Sequence, residues 1–180
     1  MKFIGGGLSG TFIIEADVFP DSRGFFLETY NRREFREAGI NLDFVQDNWS
    51  RSVKNTVRGL HCQINPGQDK LVRVVSGEIF DVAVDIRRDS PTFGRWEGHR
   101  LSVENKRQFF IPKGFAHGFC VISDTADLMY KCTDFYSPKD ERGIIWNDPE
   151  IGIDWPLDGE PILSKRDLAS PTLKNSEKWF

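Results

Sequence analysis

Lys70-Leu71-Val72-Arg73-Val74-Val75-Ser76-Gly77-Glu78-Ile79-Phe80-Asp81-Val82-Ala83-Val84-Asp85-Ile86 reads as two strands about a glycine-containing turn. In the second arm Phe80, Val82, Val84 and Ile86 share one face, while Ile79, Asp81, Ala83 and Asp85 share the other. The pattern predicts a β-hairpin with one core face and one mixed face. Working outward, similar short runs recur at residues 10–14, 25–29, 44–50, 58–63, 98–103, 108–111, 118–122 and 126–133, with turn residues between them. Many short, closely spaced strands predict a mainly β chain folded as a sandwich or jelly roll. Residues 32–38 predict one short helix, with Asn31 placed to cap its first amides and Gly39 placed to end it. Residues 147–156 turn irregular, and from 161 onward the chain reads as a loop with room for a short helix. No repeat or linker divides the chain, and residues 1–180 are expected to form a single domain.

Composition narrows the function classes. Lys plus Arg number 24 against 27 Asp plus Glu, a net charge of −3, which argues against binding nucleic acid through a basic surface. No apolar run is long enough for a membrane span, so a soluble protein is expected. Met1-Lys2-Phe3-Ile4 breaks at Gly5-Gly6-Gly7, which leaves no signal-like apolar run, and a cytoplasmic address is expected. Cys62, Cys120 and Cys132 are odd in number and include no Cys-x-x-Cys pair, so neither a disulfide framework nor a zinc knuckle is suggested. Of the fifteen Phe and five Trp, Phe25, Phe80, Phe109 and Phe119 are expected in the core, while Tyr130 and Tyr136 could instead bind a planar ligand.

Three histidines limit the acid-base candidates. His99 lies in the charged stretch Arg95-Trp96-Glu97-Gly98-His99-Arg100 and reads as an exposed strand position. Alternation along Arg58-Gly59-Leu60-His61-Cys62-Gln63 puts Arg58, Leu60 and Cys62 on one face and His61 and Gln63 on the other. His61 is then either a core histidine holding a carbonyl or part of a polar site with Lys70, which opens its strand on the parity of Val72 and Val74. His117, in Pro112-Lys113-Gly114-Phe115-Ala116-His117-Gly118-Phe119, is aimed inward either as a packed residue or as a site residue. A metal-binding barrel would carry a second histidine two positions after His61; Gln63 stands there, and no metal site is expected.

Longer motifs are more specific. Asp21-Ser22-Arg23-Gly24-Phe25-Phe26-Leu27-Glu28, Gln46-Asp47-Asn48, Arg58-Gly59-Leu60-His61, Lys70-Leu71-Val72-Arg73, Ser90-Pro91-Thr92-Phe93-Gly94, Tyr136-Ser137-Pro138, Trp146-Asn147-Asp148-Pro149 and Leu163-Ser164-Lys165-Arg166-Asp167 run nearly end to end. With them the chain resembles the dTDP-4-dehydrorhamnose 3,5-epimerase family, whose fold is a cupin-like jelly roll with a few short helices. Two positions depart from the family pattern: Cys62 stands where a bulky aromatic is common, and Trp49 where smaller or polar residues are usual. Either could reshape a pocket wall.

The resemblance implies that His61 is the general base, Asp167 the carboxylate that orients it, and Tyr130 the acid on the opposite sugar face. Lys70 would stabilise the developing oxyanion, with His117 as a hydrogen-bond donor in the same region. Arg23, Glu28, Gln46, Asn48, Arg58, Glu141 and Arg166 would contact the nucleotide sugar, and Tyr136 would stack on thymine. Arg166 stands where the family often has lysine. The implied partners are a dTDP-linked 4-keto-6-deoxy sugar and a second copy of the chain in a homodimer, with N-terminal strands reaching the partner's sheet.

The implied reaction inverts C3 and C5 of dTDP-4-dehydro-6-deoxy-D-glucose to give dTDP-4-dehydro-L-rhamnose, and needs no cofactor. A relative that inverts one centre, a metal-dependent barrel enzyme and a noncatalytic sugar-nucleotide binding module are the rival readings. Gln63 weighs against the second, and base, orienting carboxylate, cation and acid together weigh against the third.

Overall fold

A computed structural model describes residues 1–176. Period-two alternation builds its strands in chain order: β1 (Lys2–Gly5), β2 (Phe12–Glu15), β3 (Val18–Asp21), β4 (Gly24–Leu27), then the helix α1 (Arg32–Glu37), and β5 (Gln46–Val53). There follow β6 (Val57–Gln63), β7 (Lys70–Ser76), β8 (Glu78–Asp85), β9 (Trp96–Ser102), β10 (Arg107–Ile111), β11 (Phe115–Val121), β12 (Thr125–Cys132) and β13 (Glu141–Gly143). A four-residue helix, α2 (Lys165–Leu168), lies near the end. A six-stranded sheet, ordered β1-β2-β10-β7-β12-β5, faces a five-stranded sheet, ordered β13-β6-β11-β8-β9, and all their pairings are antiparallel. This is the jelly-roll sandwich expected for a mainly β chain.

Apolar side chains fill the space between the sheets. Val72, Val74, Phe109 and Leu128 from the large sheet meet Ile79, Ala83, Leu101, Phe119 and Val121 from the small one. The outer faces are covered as well. Phe35 of α1 and Ile40 pack on Ile14, Leu71 and Phe110, while Ile144, Ile151, Trp155 and Leu173 from the irregular C-terminal stretch lie over Leu60, Val82, Val84 and Ile86. Asn31 caps α1 through its side chain, which accepts from the Arg33 amide at 3.1 Å, and Gly39, at φ +87°, turns the chain out of it.

The hairpin expected from residues 70–86 does not form. β7 pairs with β10 and β12, which occupy both its edges, while β8 pairs with β9 and β11 in the other sheet. Gly77 makes the corner: its φ is +75°, and a Cβ there would meet the Thr125 carbonyl oxygen at 2.1 Å. The strand therefore switches sheets at the point where the sequence suggested a turn. The face read as mixed, Ile79 with Ala83, looks into the intersheet core, and the face of Val82, Val84 and Ile86 lies under the C-terminal segment.

Phe25 is the other correction to the expected core. Among the described residues β3 and β4 pair only with each other, so their side chains have no layer to enter, and Phe19, Phe25 and Phe26 are 60%, 56% and 69% exposed. Phe109 and Phe119 are buried as expected, and Phe80 is half-buried beside Trp96 and Trp155.

Candidate active site

At one end of the sandwich the sheets part around a cleft of about 600 Å³, lined from the large sheet by Ser50, Ser52, Leu128, Tyr130 and Lys70, and from the small sheet by Arg58, His61, His117 and Phe119. Ser164, Arg166 and Asp167 close one side. A second hollow of about 370 Å³ is lined by Gln46, Asn48, Cys62, Tyr136 and Glu141 and shares His61, Lys70 and Tyr130 with the first. Those three residues therefore stand where the two hollows meet.

His61 is held by a carboxylate. Its Nε2 lies 2.6 Å from Oδ1 of Asp167, whose side chain is 5% exposed. The Asp167 carboxylate is itself fixed: Ser164, the N-cap of α2, accepts from the Asp167 amide at 3.0 Å and donates its hydroxyl to Oδ2 at 2.8 Å. Burial pushes the Asp167 carboxyl up, but the bond from His61, its charge and the Ser164 contacts outweigh burial and hold it below the usual range. With Nε2–H donated to Asp167, the lone pair at Nδ1 is free to take a proton.

Arg58 reaches the cleft against the alternation, which had put it on the face opposite His61. Across the β6–β11 ladder His61 is opposite His117, yet Arg58 is opposite Phe119, so three steps along β6 match two along β11. The extra residue is a bulge at Gly59, whose φ is +114° and where a Cβ would meet the Gly118 Cα at 2.6 Å. The bulge re-aims Arg58 to the side of His61. There the guanidinium donates to Ser52 Oγ at 3.0 Å and, among the described residues, pairs with no carboxylate. Lys70, on the parity of Val72 as expected, likewise has no ion-pair partner among the described residues. Two uncompensated cations in one cleft suit an anionic ligand.

Tyr130 projects from the wall opposite His61, and burial pushes its phenol above the ordinary tyrosine value. In the second hollow Glu141 joins two expected ligand contacts, taking the Tyr136 hydroxyl at 2.6 Å and the Arg166 guanidinium at 2.6 Å. Gln46 accepts from the Tyr136 amide at 2.9 Å and donates to Asn48 at 2.9 Å. His117 is 7% exposed and its Nε2 lies 2.9 and 3.0 Å from the two oxygens of Asp81, a fully buried residue the sequence reading left unassigned.

Arg23 and Glu28 are the expected contacts that the fold does not bring to this cleft. Arg23 sits on the exposed β3–β4 hairpin, 88% exposed and bonded to Asp21, and Glu28 accepts from Asn31. His99 is half-buried rather than exposed, its ring edge-on to Phe109 at 4.8 Å and its Nε2 3.1 Å from Glu97. Gln63 serves a loop, donating to the carbonyls of Pro66 and Phe135 and accepting from the Ser137 amide. Cys62 does line the second hollow, where burial pushes its thiol up to about 12. Trp49 does not; it is 67% exposed on the outside of β5, donating to Asp127 at 3.3 Å. Two functional groups were missed by the sequence reading. Ser164 carried a signal, the Ser-x-x-Asp spacing of a capping box, whereas Asp81 carried none beyond an acid in an apolar strand.

The chain is similar in sequence and in fold to proteins of one family. The profile of the dTDP-4-dehydrorhamnose 3,5-epimerase family matches residues 6–175. The dTDP-4-dehydrorhamnose 3,5-epimerase of Pseudomonas aeruginosa is 60% identical over 86% of this chain and 86% of its own. A crystal structure of the dTDP-6-deoxy-D-glucose-3,5-epimerase of Legionella pneumophila Philadelphia 1, in complex with dTDP-4-keto-L-rhamnose, superposes with a TM-score of 0.96 at 51% identity, covering 98% of this chain and 94% of that one. A dTDP-4-dehydrorhamnose 3-epimerase of Streptomyces niveus is 45% identical over 89% of this chain and 78% of its own. Fold and family together define a jelly-roll isomerase. The chain belongs to the dTDP-4-dehydrorhamnose 3,5-epimerase family, and it is an epimerase.

Proposed function

We propose that this epimerase inverts C3 and C5 of dTDP-4-dehydro-6-deoxy-D-glucose to give dTDP-4-dehydro-L-rhamnose. The observation that carries the reading is the placement of the carboxylate-held His61 and of Tyr130 on opposite walls of one cleft, with Lys70 lining it beside both. His61 Nδ1 removes the proton from the carbon next to the ketone, and Asp167 stabilises the imidazolium that results. That carbon acid is far weaker than imidazolium, and each unit of mismatch costs about 1.4 kcal/mol. Lys70 lowers the cost by meeting the negative charge as it forms on the ketone oxygen. Tyr130 then returns a proton from the other face, inverting the centre. One proton leaves carbon and one is added, so the step balances without a redox cofactor.

The diphosphate is assigned to Arg58 and Arg166, whose guanidinium forks match its oxygens, and thymine to Tyr136, with Gln46, Asn48, Glu141 and His117 as polar contacts. Arg23 and Glu28 are assigned to the cleft of a second copy in a homodimer. The support is the β3–β4 hairpin, which leaves three phenylalanines exposed, and the edge position of β5 among the described residues, an apolar surface and a strand edge that a second copy would cover. Light scattering is expected to give twice the chain mass; a monomeric mass would remove this part of the reading. A cytoplasmic address goes with the supply of nucleotide sugars.

Incubation with dTDP-4-dehydro-6-deoxy-D-glucose tests the substrate and the stereochemistry. Accumulation of dTDP-4-dehydro-L-rhamnose is expected. A product inverted at one centre would move the protein to the single-epimerase branch, and an unchanged substrate would refute the assignment.

A further inference from the structure

His117 stands opposite His61 across the β6–β11 ladder and lines the same cleft, yet its donor is already spent. Nε2 lies within 3.0 Å of both oxygens of Asp81, and Asp81 is wholly inside the protein on β8. Nδ1 makes no hydrogen bond to any described residue, although the ring is 7% exposed and sits at the cleft wall. A buried ring nitrogen without a partner is costly unless a ligand or a neighbouring donor meets it. The ring lies among groups that carry or acquire positive charge. Burial, then the nearby Lys70 and His61, disfavour the imidazolium, against the pull of Asp81, and the balance places His117 below the ordinary histidine value.

We propose that Asp81 is a positioning residue that locks His117 in the tautomer protonated at Nε2, so that Nδ1 accepts a hydrogen bond from a donor in the cleft, the Lys70 ammonium or a sugar hydroxyl. His117 then does not donate to the enolate oxygen, contrary to what the family resemblance suggested, and Lys70 is left as the cation that meets it. Asparagine at position 81 would reverse the arrangement. Its amide can donate to Nε2 and thereby drive the proton to Nδ1, which then points an N–H at the ammonium or hydroxyl that needs an acceptor. An orienting aspartate changed to asparagine acts in this way when it presents the wrong histidine tautomer.

This inference rests on the proposed reaction for its catalytic consequence but not for the tautomer, which is a property of the free protein. Long-range proton–nitrogen NMR of the ¹⁵N-labelled, ligand-free wild type at neutral pH reads which ring nitrogen of His117 is protonated. A proton on Nε2 and a bare Nδ1 are expected; a proton on Nδ1, or on both, would overturn the proposal, and this measurement needs no variant. Asp81→Asn is expected to move the proton to Nδ1 and to lower kcat on the order of 100-fold with KM little changed. A variant whose proton moves while kcat is retained would overturn the catalytic role. A wild type that fails to turn over the keto sugar would instead sink the substrate reading, and the ligand-free spectrum would still decide the tautomer.

Discussion

His61 and His117 are cross-strand partners on β6 and β11, and each offers its Nε2 to a buried aspartate, Asp167 for the first and Asp81 for the second. Among the described residues neither Nδ1 has a hydrogen-bond partner, in keeping with the proposed roles of His61 as base and of His117 as acceptor.

Removing the base group is expected to separate chemistry from binding. His61→Asn should lower turnover at least 10³-fold, within the range for general-base catalysis, while dTDP affinity measured by calorimetry stays within a few-fold. Asp167→Asn should cost a similar factor by misdirecting the imidazole. Loss of dTDP affinity in proportion to turnover would make His61 a structural residue.

Tyr130→Phe removes the returning proton but leaves His61 in place. The variant should still exchange the substrate's proton with solvent while forming little inverted product, observable by NMR in deuterated water. Burial raises the Tyr130 phenol, so it stays neutral through its ordinary value of 10, and an alkaline loss of activity below that value must come from another group. Because burial penalises only the ionised phenol, the shift leaves stability unchanged below the unfolded value and lowers it as pH rises from there through the folded one.

Ser164→Ala tests the support of the dyad. Loss of the cap should cost about 1 kcal/mol of stability in urea unfolding, and turnover should fall by more than that destabilisation explains, because the Asp167 carboxylate loses the donor to Oδ2. Turnover equal to wild type would show that Asp167 is held without it.

Asp85 sets an acid limit on stability remote from the cleft. Burial pushes its carboxyl up, but bonds from Arg87, Ser90 and Thr92 outweigh burial and bring it down to about 2 from an ordinary 3.8. A depressed acid contributes stability that is present above the unfolded value and lost as pH falls towards the folded one. Asp85→Asn should therefore be less stable than wild type at neutral pH, with the difference shrinking between those two values in urea titrations. A difference that does not change with pH would contradict the assignment.

Much of this was legible in the sequence because the period-two pattern and the capping residues act locally. Each of the eight short runs overlaps a strand, and Asn31 and Gly39 bound α1 as their chemistry demands. What was hidden depends on partners distant in the chain. Nothing near Gly77 says that both edges of β7 are already occupied, so a corner between sheets looked like a hairpin. The bulge at Gly59 shifts the parity of Arg58 through its pairing with β11, which alternation along β6 alone does not register. Phe25 was misplaced for a related reason: among the described residues its hairpin finds no layer to pack against. Asp81 was invisible because a buried acid has meaning only with the histidine it meets, thirty-six residues on.

The most direct test of the central claim is proton NMR of dTDP-4-dehydro-6-deoxyglucose with the enzyme in deuterated water and chelator, following the C3 and C5 signals separately. Loss of both signals, with deuterium at both carbons of the L-rhamno product, is the expected result. Exchange at one carbon only, at neither, or only after metal is restored would contradict the account.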